Sequence, residues 1–257
     1  ILLFSDRGNC PHQQDALAVG AEVIQASEHL SQRRLDSCDV LLGLADGVAT
    51  SPAAARASRL SLSFLSQSLA SSPEGCIDGL ITGRYVRAAQ QKLSAALARS
   101  RKTYGASSTI VAAHLVGNRL SVVNVGDSRA YLRSATGEIR QLSRDHTELE
   151  RLREEGLLED GKEYASMYSS LSDCLVADPE AEDFQIHRTV AELNFGELLV
   201  LCSDGVHEVL GDSKWREVIG EAEAAMELVL RAKDEIFQLG APDNFSIIVA
   251  ELAPAGQ

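Results

Sequence analysis

The spacing of apolar and polar residues changes several times along the chain, and each change predicts a different element. Short apolar or alternating runs near the start predict β-strands at Leu2 to Arg7, Ala16 to Val23 and Val40 to Ala45. The third run is almost continuously apolar and ends at the turn-forming pair Asp46-Gly47, as expected for a strand buried on both faces. The chain therefore begins with sheet.

Helical spacing follows these strands. Apolar residues recur at intervals of three and four over 53–64, which predicts an amphipathic helix with Ser51 as its N-cap and Pro52 at its first position. After the break at 71–73, a second helix is predicted from Val86 to Leu97, with its basic residues on the side away from the apolar stripe.

The middle of the chain returns to β-rich patterns. Strands are predicted at Ser108 to Val116, Leu120 to Val125, Arg129 to Arg133 and Ile139 to Leu142. The pair Gly117-Asn118 separates the first two as a two-residue hairpin turn. This part of the chain is therefore predicted to form an antiparallel meander.

The last third alternates between sheet and helix. Strands are predicted at Phe184 to Val190 and Glu197 to Cys202, a helix at Trp215 to Leu239, and a closing strand at Phe245 to Leu252. The overall order of strands, helices, strands, helices and strand predicts an α/β protein in which two sheets pack together with helices outside. No linker or fixed-period repeat interrupts the pattern, so we expect a single domain over 1–257.

One segment departs from this regularity. Residues Glu148 to Ala181 are acidic, poor in β-branched residues and helical in pattern only near Glu148 to Glu155. We expect this segment to be an inserted flap.

Composition restricts the classes of partner. With 24 Lys+Arg against 37 Asp+Glu, the 257-residue chain carries a net charge of −13, and no basic run offsets it locally, so nucleic acid is not expected as a partner. Five widely spaced cysteines without a CxxC pair predict neither a disulfide framework nor a zinc site. No apolar run approaches the ~20 residues of a membrane span, and no secretion signal opens the sequence. We expect a cytoplasmic protein, acting as a monomer.

Four aspartates stand where apolar runs end or begin. Asp46 and Asp204 each follow a run and precede a glycine, Asp127 follows a third run, and Asp243 precedes the last. Carboxylates gathered at one end of a sheet repel one another unless a cation compensates them, and all-oxygen ligation selects Mg²⁺ or Mn²⁺. Two such ions about 4 Å apart can hold a bridging hydroxide and receive a phosphoryl oxygen. Each Asp-Gly pair taken alone also fits an ordinary turn, so the pattern by itself leaves both interpretations open.

Six segments resemble, in order and rough spacing, the motifs of the PPM family of metal-dependent serine/threonine protein phosphatases (type 2C), in its compact bacterial form. The segments are 45–47, 105–109, 125–132, 141–146, 201–205 and 242–246. The resemblance spans nearly the whole chain. It implies a four-layer α/β/β/α sandwich of two antiparallel sheets flanked by helices, with a two-metal centre at one end of the sheets.

The resemblance also implies a role for each aspartate. Asp46 resembles the carboxylate that bridges both metal ions, and Gly47 resembles the residue whose backbone carbonyl binds the first ion. Asp204 and Asp243 resemble the remaining ligands of the second ion. Asp127 resembles the acid that, together with Asp204, holds a third and weaker ion. The implied cofactors are two, or three, Mg²⁺ or Mn²⁺ ions.

Further positions bear on catalysis. Asp15 resembles the N-terminal acid that orients metal-bound water, and the resemblance implies that this water, its pKa lowered by two cations, attacks phosphorus in line without a phosphoenzyme. Family members commonly carry a phosphate-gripping arginine five residues before this acid, where this chain has Cys10. Arg7 is the nearest candidate substitute, although it also fits a surface turn, and His12 is a candidate proton donor to the leaving group.

These observations predict a phosphatase that removes phosphate from phosphoserine or phosphothreonine in proteins and opposes a bacterial serine/threonine kinase. Two alternatives stay open. The absent arginine and the altered loop 48–50, in which Ala49 and Thr50 replace the usual glycines, favour a catalytically silent module that binds a phosphoprotein or regulator. A regulatory phosphatase acting on an anti-sigma antagonist keeps the same chemistry with a different substrate.

Overall fold

The computed structural model describes residues 1–71, 83–158, 170–181 and 183–253, and the elements below lie in these ranges. The strands are β1 (Leu2–Asp6), β2 (Ala16–Val19), β3 (Glu22–Ile24), β4 (Glu28–Gln32), β5 (Asp39–Ala45), β6 (Ser107–Ser108), β7 (Ile110–Val116), β8 (Arg119–Val125), β9 (Arg129–Arg133), β10 (Ile139–Gln141), β11 (Leu175–Val176), β12 (His187–Glu192), β13 (Leu198–Cys202) and β14 (Phe245–Ala250). The helices are α1 (Ala54–Ala70), α2 (Arg84–Leu97), α3 (Glu148–Glu154), α4 (Asp204–Leu210), α5 (Asp212–Glu221) and α6 (Ala225–Gln238).

Two six-stranded antiparallel sheets form the centre of the fold. One sheet has the strand order β4-β1-β14-β13-β9-β10 and the other has the order β3-β2-β5-β7-β8-β12, while β6 and β11 pair in a separate two-stranded ribbon. Helices α1 and α2 pack on the outer face of the second sheet, and α4, α5 and α6 pack on the first. The predicted four-layer α/β/β/α sandwich is confirmed.

Three apolar layers hold the sandwich together. Leu3, Leu42 and Leu201 belong to the layer between the sheets, whereas Trp215 and Leu93 each belong to a layer between a sheet and its helices. The central strands are therefore apolar on both faces, because each face meets another layer. This explains why β5 and β13 have almost continuously apolar sequences.

Strand register places the functional loops at one edge of the sandwich. Ala16 at the start of β2 pairs with Ala45 at the end of β5. Cys202 at the end of β13 pairs with Ile247 near the start of β14 and with Arg129 at the start of β9. Residues just outside these strand ends, among them the predicted metal ligands, therefore share an edge.

Several local predictions need correction. The predicted strand Ala16 to Val23 is a hairpin of β2 and β3, because Gly20 adopts a left-handed turn with φ of +58°. Strand β4 was not predicted, since its polar, half-exposed sequence has no apolar run. Strand β9 leaves the predicted meander and pairs with β13 in the other sheet, a choice of partner that the local pattern does not encode.

The helices also differ at their ends. α1 begins after Ala53, which is in the left-handed region, and Ser51 is not its N-cap; its Oγ instead accepts a hydrogen bond from the backbone of Ser107. The predicted long helix from Trp215 is divided into α5 and α6 around Ala222. Within the predicted flap, α3 and β11 are present, and residues 159–169 lie outside the described ranges. In the described residues, every helix is too short or too polar to cross a membrane.

Candidate metal centre

Asp15 is the most deeply buried acid at the shared edge of the sheets. It is fully inaccessible to solvent, and its Oδ2 accepts a hydrogen bond from Ser203 Oγ at 2.8 Å. Its Oδ1 has no hydrogen-bond partner. Burial raises the pKa of Asp15 to about 6, a shift that hydrogen bonds from Ser246 and Ser203 reduce and the charge of Asp243 increases. An unpaired buried carboxylate oxygen is costly unless a further partner binds it, so Asp15 has capacity for one more interaction.

Asp46 follows β5 directly and is fixed through its backbone. Its N–H donates to Thr109 Oγ1 at 3.1 Å, and its carbonyl accepts from the Thr109 N–H at 2.8 Å. Burial of the carboxyl group, followed by repulsion from Asp204 and Asp15, holds the pKa of Asp46 well above its usual range. The negative charges of several neighbouring acids therefore act on the Asp46 carboxyl group.

The glycines after the aspartates are required by packing. A Cβ at Gly47 would lie 2.5 Å from the carbonyl of Ala54, because the first turn of α1 packs against this loop. A Cβ at Gly205 would lie 2.0 Å from the carbonyl oxygen of Asn244. Both distances are shorter than any van der Waals contact. Only glycine, which has no Cβ, therefore allows these loops to approach their neighbours this closely.

Asp204 and Asp243 occupy facing loops. Asp204 is the first residue of α4, and its Oδ1 accepts a hydrogen bond from the N–H of Gly205 at 2.6 Å. Burial raises the pKa of Asp204 to about 6, with a further contribution from the charge of Asp243. Oδ1 of Asp243 accepts from the N–H of Asn244 at 2.7 Å and from the thiol of Cys10 at 3.7 Å.

Asp127 completes the acidic group on the side of β8. It is buried, and burial together with the charges of Asp204 and Asp145 holds its pKa well above the usual range. Its backbone carbonyl accepts a hydrogen bond from Nε2 of His207 at 3.0 Å. Burial lowers the pKa of His207 to about 3, so this histidine is a neutral structural donor at physiological pH.

The acids fit a divalent cation by charge and by donor type. Four of them, Asp15, Asp46, Asp127 and Asp204, have pKa values raised first by burial and then by the charges of neighbouring acids, which is the situation that a cation relieves. Every donor is an oxygen, which suits Mg²⁺ or Mn²⁺. In the described ranges, no three carboxylate, imidazole or thiol groups stand close enough to enclose an ion as they are placed.

Arg7 and His12 lie on the loop that precedes Asp15, and both are exposed. The Arg7 guanidinium donates to the carbonyl of Pro11 at 3.3 Å. The backbone carbonyl of His12 accepts from Nδ2 of Asn244 at 3.1 Å. Their proposed contacts with substrate remain predictions.

Three residues that support the acids were not predicted from the sequence. Ser203 fixes the Asp15 carboxylate, Thr109 fixes the Asp46 backbone, and Asn244 ties the 7–14 loop to the Asp243 turn. Each stands beside or within a recognised motif, so its neighbourhood was visible in the sequence. Its hydrogen-bond partner was not, because the partners lie 188, 63 and 230 residues away.

Comparison with known families identifies the class of protein. The family model described as Protein phosphatase 2C matches residues 24–235, and the chain belongs to that family. The resemblance inferred from the six motifs is thereby confirmed.

Individual relatives agree. The serine/threonine protein phosphatase PstP of Mycobacterium tuberculosis is 30% identical over 218 residues, covering 82% of this chain. The chain spans 40% of the length of that relative. The serine/threonine phosphatase stp of Listeria monocytogenes is 27% identical over 152 residues, which cover 57% of each chain.

Solved structures agree on the fold. A crystal structure of Mycobacterium tuberculosis PstP matches with a TM-score of 0.76 and 26% identity, covering 99% of this chain and 100% of that one. A structure of the PstP catalytic domain in complex with two manganese ions matches with a TM-score of 0.71. Stp1 of Staphylococcus aureus, at 18% identity and a TM-score of 0.78, shares the fold.

Proposed function

We propose that this chain is a Mg²⁺- or Mn²⁺-dependent phosphatase that hydrolyses phosphoserine and phosphothreonine in proteins. The observation that supports this proposal best is the meeting of Asp15, Asp46 and Asp204 at one edge of the two sheets, with pKa values raised by burial and by the charges of neighbouring acids. Such a concentration of negative charge destabilises a fold that makes no use of it. Binding of divalent cations provides that use.

The ligands follow from the placement of the acids. Asp46 is proposed to contact two cations, Gly47 to offer its carbonyl to the first, and Asp204 and Asp243 to hold the second. Asp127 and Asp204 are proposed to hold a third, weaker ion. When bound, the cations supply charge that neutralises phosphoryl oxygens and lowers the pKa of a coordinated water.

The remaining residues act on water and substrate. Asp15 Oδ1 is unpartnered while Ser203 holds Oδ2, so this carboxylate is oriented to accept a hydrogen bond from an attacking water. Arg7 and His12, exposed on the adjoining loop, are proposed to contact the substrate phosphate and to donate a proton to the leaving group. Because hydrogen bonds already hold the carboxylates and the 7–14 loop in place, these groups need little reorganisation as the transition state forms.

The substrate class is proposed by analogy with the relatives. PstP and stp are named serine/threonine phosphatases, and this chain resembles them over 82% and 57% of its length. We propose a phosphorylated protein as substrate, a bacterial serine/threonine kinase as the opposing activity, and action as a monomer in the cytoplasm.

Release of phosphate from a phosphothreonine peptide with added Mn²⁺ tests the proposal. We expect turnover that EDTA abolishes. Asp46→Asn and Asp204→Asn are each expected to lower kcat/KM by about 100-fold or more, because each removes an anionic ligand. Asp234→Asn, which alters an exposed acid on α6, is the matched control and should match the parent protein. Turnover of the two ligand variants within a few-fold of the parent would overturn the assignment.

A module that binds phosphoprotein without turnover is the less favoured alternative. The absent arginine at Cys10 motivates it, but all five acidic positions that resemble metal ligands or the water-orienting acid are retained. Calorimetry distinguishes the two, since tight phosphopeptide binding without phosphate release under saturating Mn²⁺ is expected only of the binding module.

A further inference from the structure

Gln90 lies on α2, and its buried side-chain amide forms the kind of paired hydrogen bonds that a neighbouring strand would form. Its Nε2 donates to the carbonyl of Val176 at 2.7 Å, and its Oε1 accepts from the N–H of the same residue at 3.0 Å. Only 6% of the residue is exposed, so water does not compete for these bonds. The single side chain therefore satisfies both backbone groups of Val176, as a neighbouring strand does.

The bonded strand leads directly to the metal centre. β11 pairs on its other side with β6, through Leu175 with Ser108 and Val176 with Ser107. Ser108 in turn forms a bridge with Gly47. The lateral order is thus the Gln90 amide, β11, β6 and the loop that carries the proposed metal ligands Asp46 and Gly47.

The same strand lies near the end of the acidic segment 148–181. The residues just before β11 lie beside the Asp127 loop: the N–H of Ser172 donates to the carbonyl of His146 at 2.9 Å, and the N–H of His146 donates to the carbonyl of Gly126 at 3.0 Å. The position of β11 therefore sets where this leg of the segment stands relative to the acids.

We propose that Gln90 is a positioning residue whose two-point contact with Val176 fixes residues 170–176 beside the metal centre, and with them the surface that receives a protein substrate. The inference rests on the proposed phosphatase function. On this inference, a phosphopeptide contacts these residues and its binding depends on their position. A small aryl phosphate is expected to reach the metal centre without them.

Gln90→Met tests the inference, because methionine has a similar length and cannot make either hydrogen bond. With Mn²⁺ present, we expect KM for a phosphothreonine peptide to rise about tenfold, an effect of the size expected for the loss of two hydrogen bonds. We expect kcat to stay within about threefold of the parent value. For p-nitrophenyl phosphate, kcat/KM should stay within about twofold of the parent protein. Gln91→Met, at the exposed neighbouring position on α2, is the control and should alter neither value.

Hydrogen exchange provides a second measurement. The Val176 amide should exchange faster in Gln90→Met and at the parent rate in Gln91→Met. If Gln90→Met does not fold, Gln90→Glu is the second variant. It keeps the side-chain length and the acceptor for the Val176 N–H, but when ionised it turns a charged oxygen toward the Val176 carbonyl, and a peptide KM at least tenfold above the parent value is expected.

The outcomes distinguish a failure of this inference from a failure of the proposed function. Equal loss toward peptide and aryl phosphate, or an unchanged peptide KM, in an active protein overturns the role of Gln90 alone. A parent protein that hydrolyses neither substrate overturns the proposed function, and this inference with it.

Discussion

The thiol of Cys10 lies 3.7 Å from Oδ1 of Asp243, so an uncharged side chain stands beside a proposed metal ligand where the resemblance leads us to expect an arginine. The thiol is also within hydrogen-bonding distance of the carbonyl of Pro242, at 3.3 Å. Asn9, the preceding residue, bonds to Ala241 through its N–H at 2.9 Å and to Gly240 through its side chain at 2.7 Å. The loop is fixed on the Asp243 turn without contributing positive charge at position 10.

Restoring the charge at this position should improve substrate binding. We expect Cys10→Arg to lower KM for a phosphothreonine peptide by about three- to tenfold, because a guanidinium pairs two-pronged with phosphate. Steady-state kinetics with Mn²⁺ measures this, and Cys38→Arg, which alters an exposed cysteine just before β5, is the control. An unchanged or higher KM in a variant of parental melting temperature would contradict the expected phosphate contact.

The metal-free protein should lose stability as pH rises. Asp15 and Asp204 have pKa values raised from 3.8 to about 6 in the folded chain, so the folded state binds protons more tightly than the unfolded state between these values. By linkage, these two groups make the free energy of unfolding decrease as pH rises from about 4 to about 6. Urea unfolding of EDTA-treated protein across this range measures the slope.

The contribution of the acids is isolated by substitution. Asp204→Asn should reduce the decrease in stability over this pH range, whereas Asp234→Asn should leave it unchanged. A stability that rises between pH 4 and 6, or that responds equally to both substitutions, would refute the assigned pKa shifts.

Mn²⁺ should reverse the loss at neutral pH. At 100 times its dissociation constant, a cation that binds only the folded state adds about 2.7 kcal/mol, or roughly 5–10 °C in Tm for a chain of this size. The increase should be smaller at pH 5, because protonated carboxyls bind cations poorly. Differential scanning fluorimetry at both pH values checks this, and an equal increase at pH 5 and 7.5 would argue against carboxylate ligation.

The patterns that were predicted correctly are those set by burial. The double-faced burial of β5 and β13 appears in the sequence as apolar runs, and the acids after them mark the edge of the sheets. The half-exposed edge strand β4 has no such signal. The choice of sheet for β9 depends on its pairing with β13, in which Arg133 pairs with Leu198 and Arg129 with Cys202. These partners lie 65 and 73 residues apart in sequence, so no local pattern contains the contacts.

The positions of the proposed ligands follow from sequence patterns, whereas the residues that support them do not. Asp46 and Asp204 were found because acid follows an apolar run, and the roles assigned to them came from the family resemblance. Gly47 was expected to offer its carbonyl to a metal ion, and the structure adds a packing reason for glycine at both Gly47 and Gly205. The functions of Thr109 and Ser203 depend on partners far apart in sequence.

Packing around Gly205 makes a testable contrast with another helical glycine. Gly205→Ala places a methyl group 2.0 Å from the carbonyl oxygen of Asn244 and should lower the free energy of unfolding by about 1–3 kcal/mol. Gly220→Ala, in α5, meets its nearest neighbour at 3.5 Å and should be neutral or stabilising by up to about 1 kcal/mol. Chemical denaturation of both variants checks the prediction, and similar stabilities would contradict it.

Asn244 should contribute more than its position in a turn indicates. Its side chain donates to the carbonyls of Arg7 and His12 at 2.8 and 3.1 Å and accepts from the N–H of Gln14 at 2.7 Å. Asn244→Ala should therefore lower the free energy of unfolding by about 2–3 kcal/mol, at about 1 kcal/mol per bond.

Asn9 provides the comparison for this effect. Asn9→Ala, which removes one exposed side-chain bond to Gly240, should cost less than about 1 kcal/mol in urea denaturation. Equal effects of the two substitutions would show that Asn244 does not hold the loop.

Anomalous scattering from manganese-soaked crystals tests the proposed metal centre most directly. We expect two peaks about 4 Å apart, with Asp46 between them, Gly47 beside one and Asp204 and Asp243 beside the other. Absence of any manganese peak within coordination distance of Asp46, in crystals of protein that hydrolyses phosphopeptide with Mn²⁺ in solution, would contradict the account.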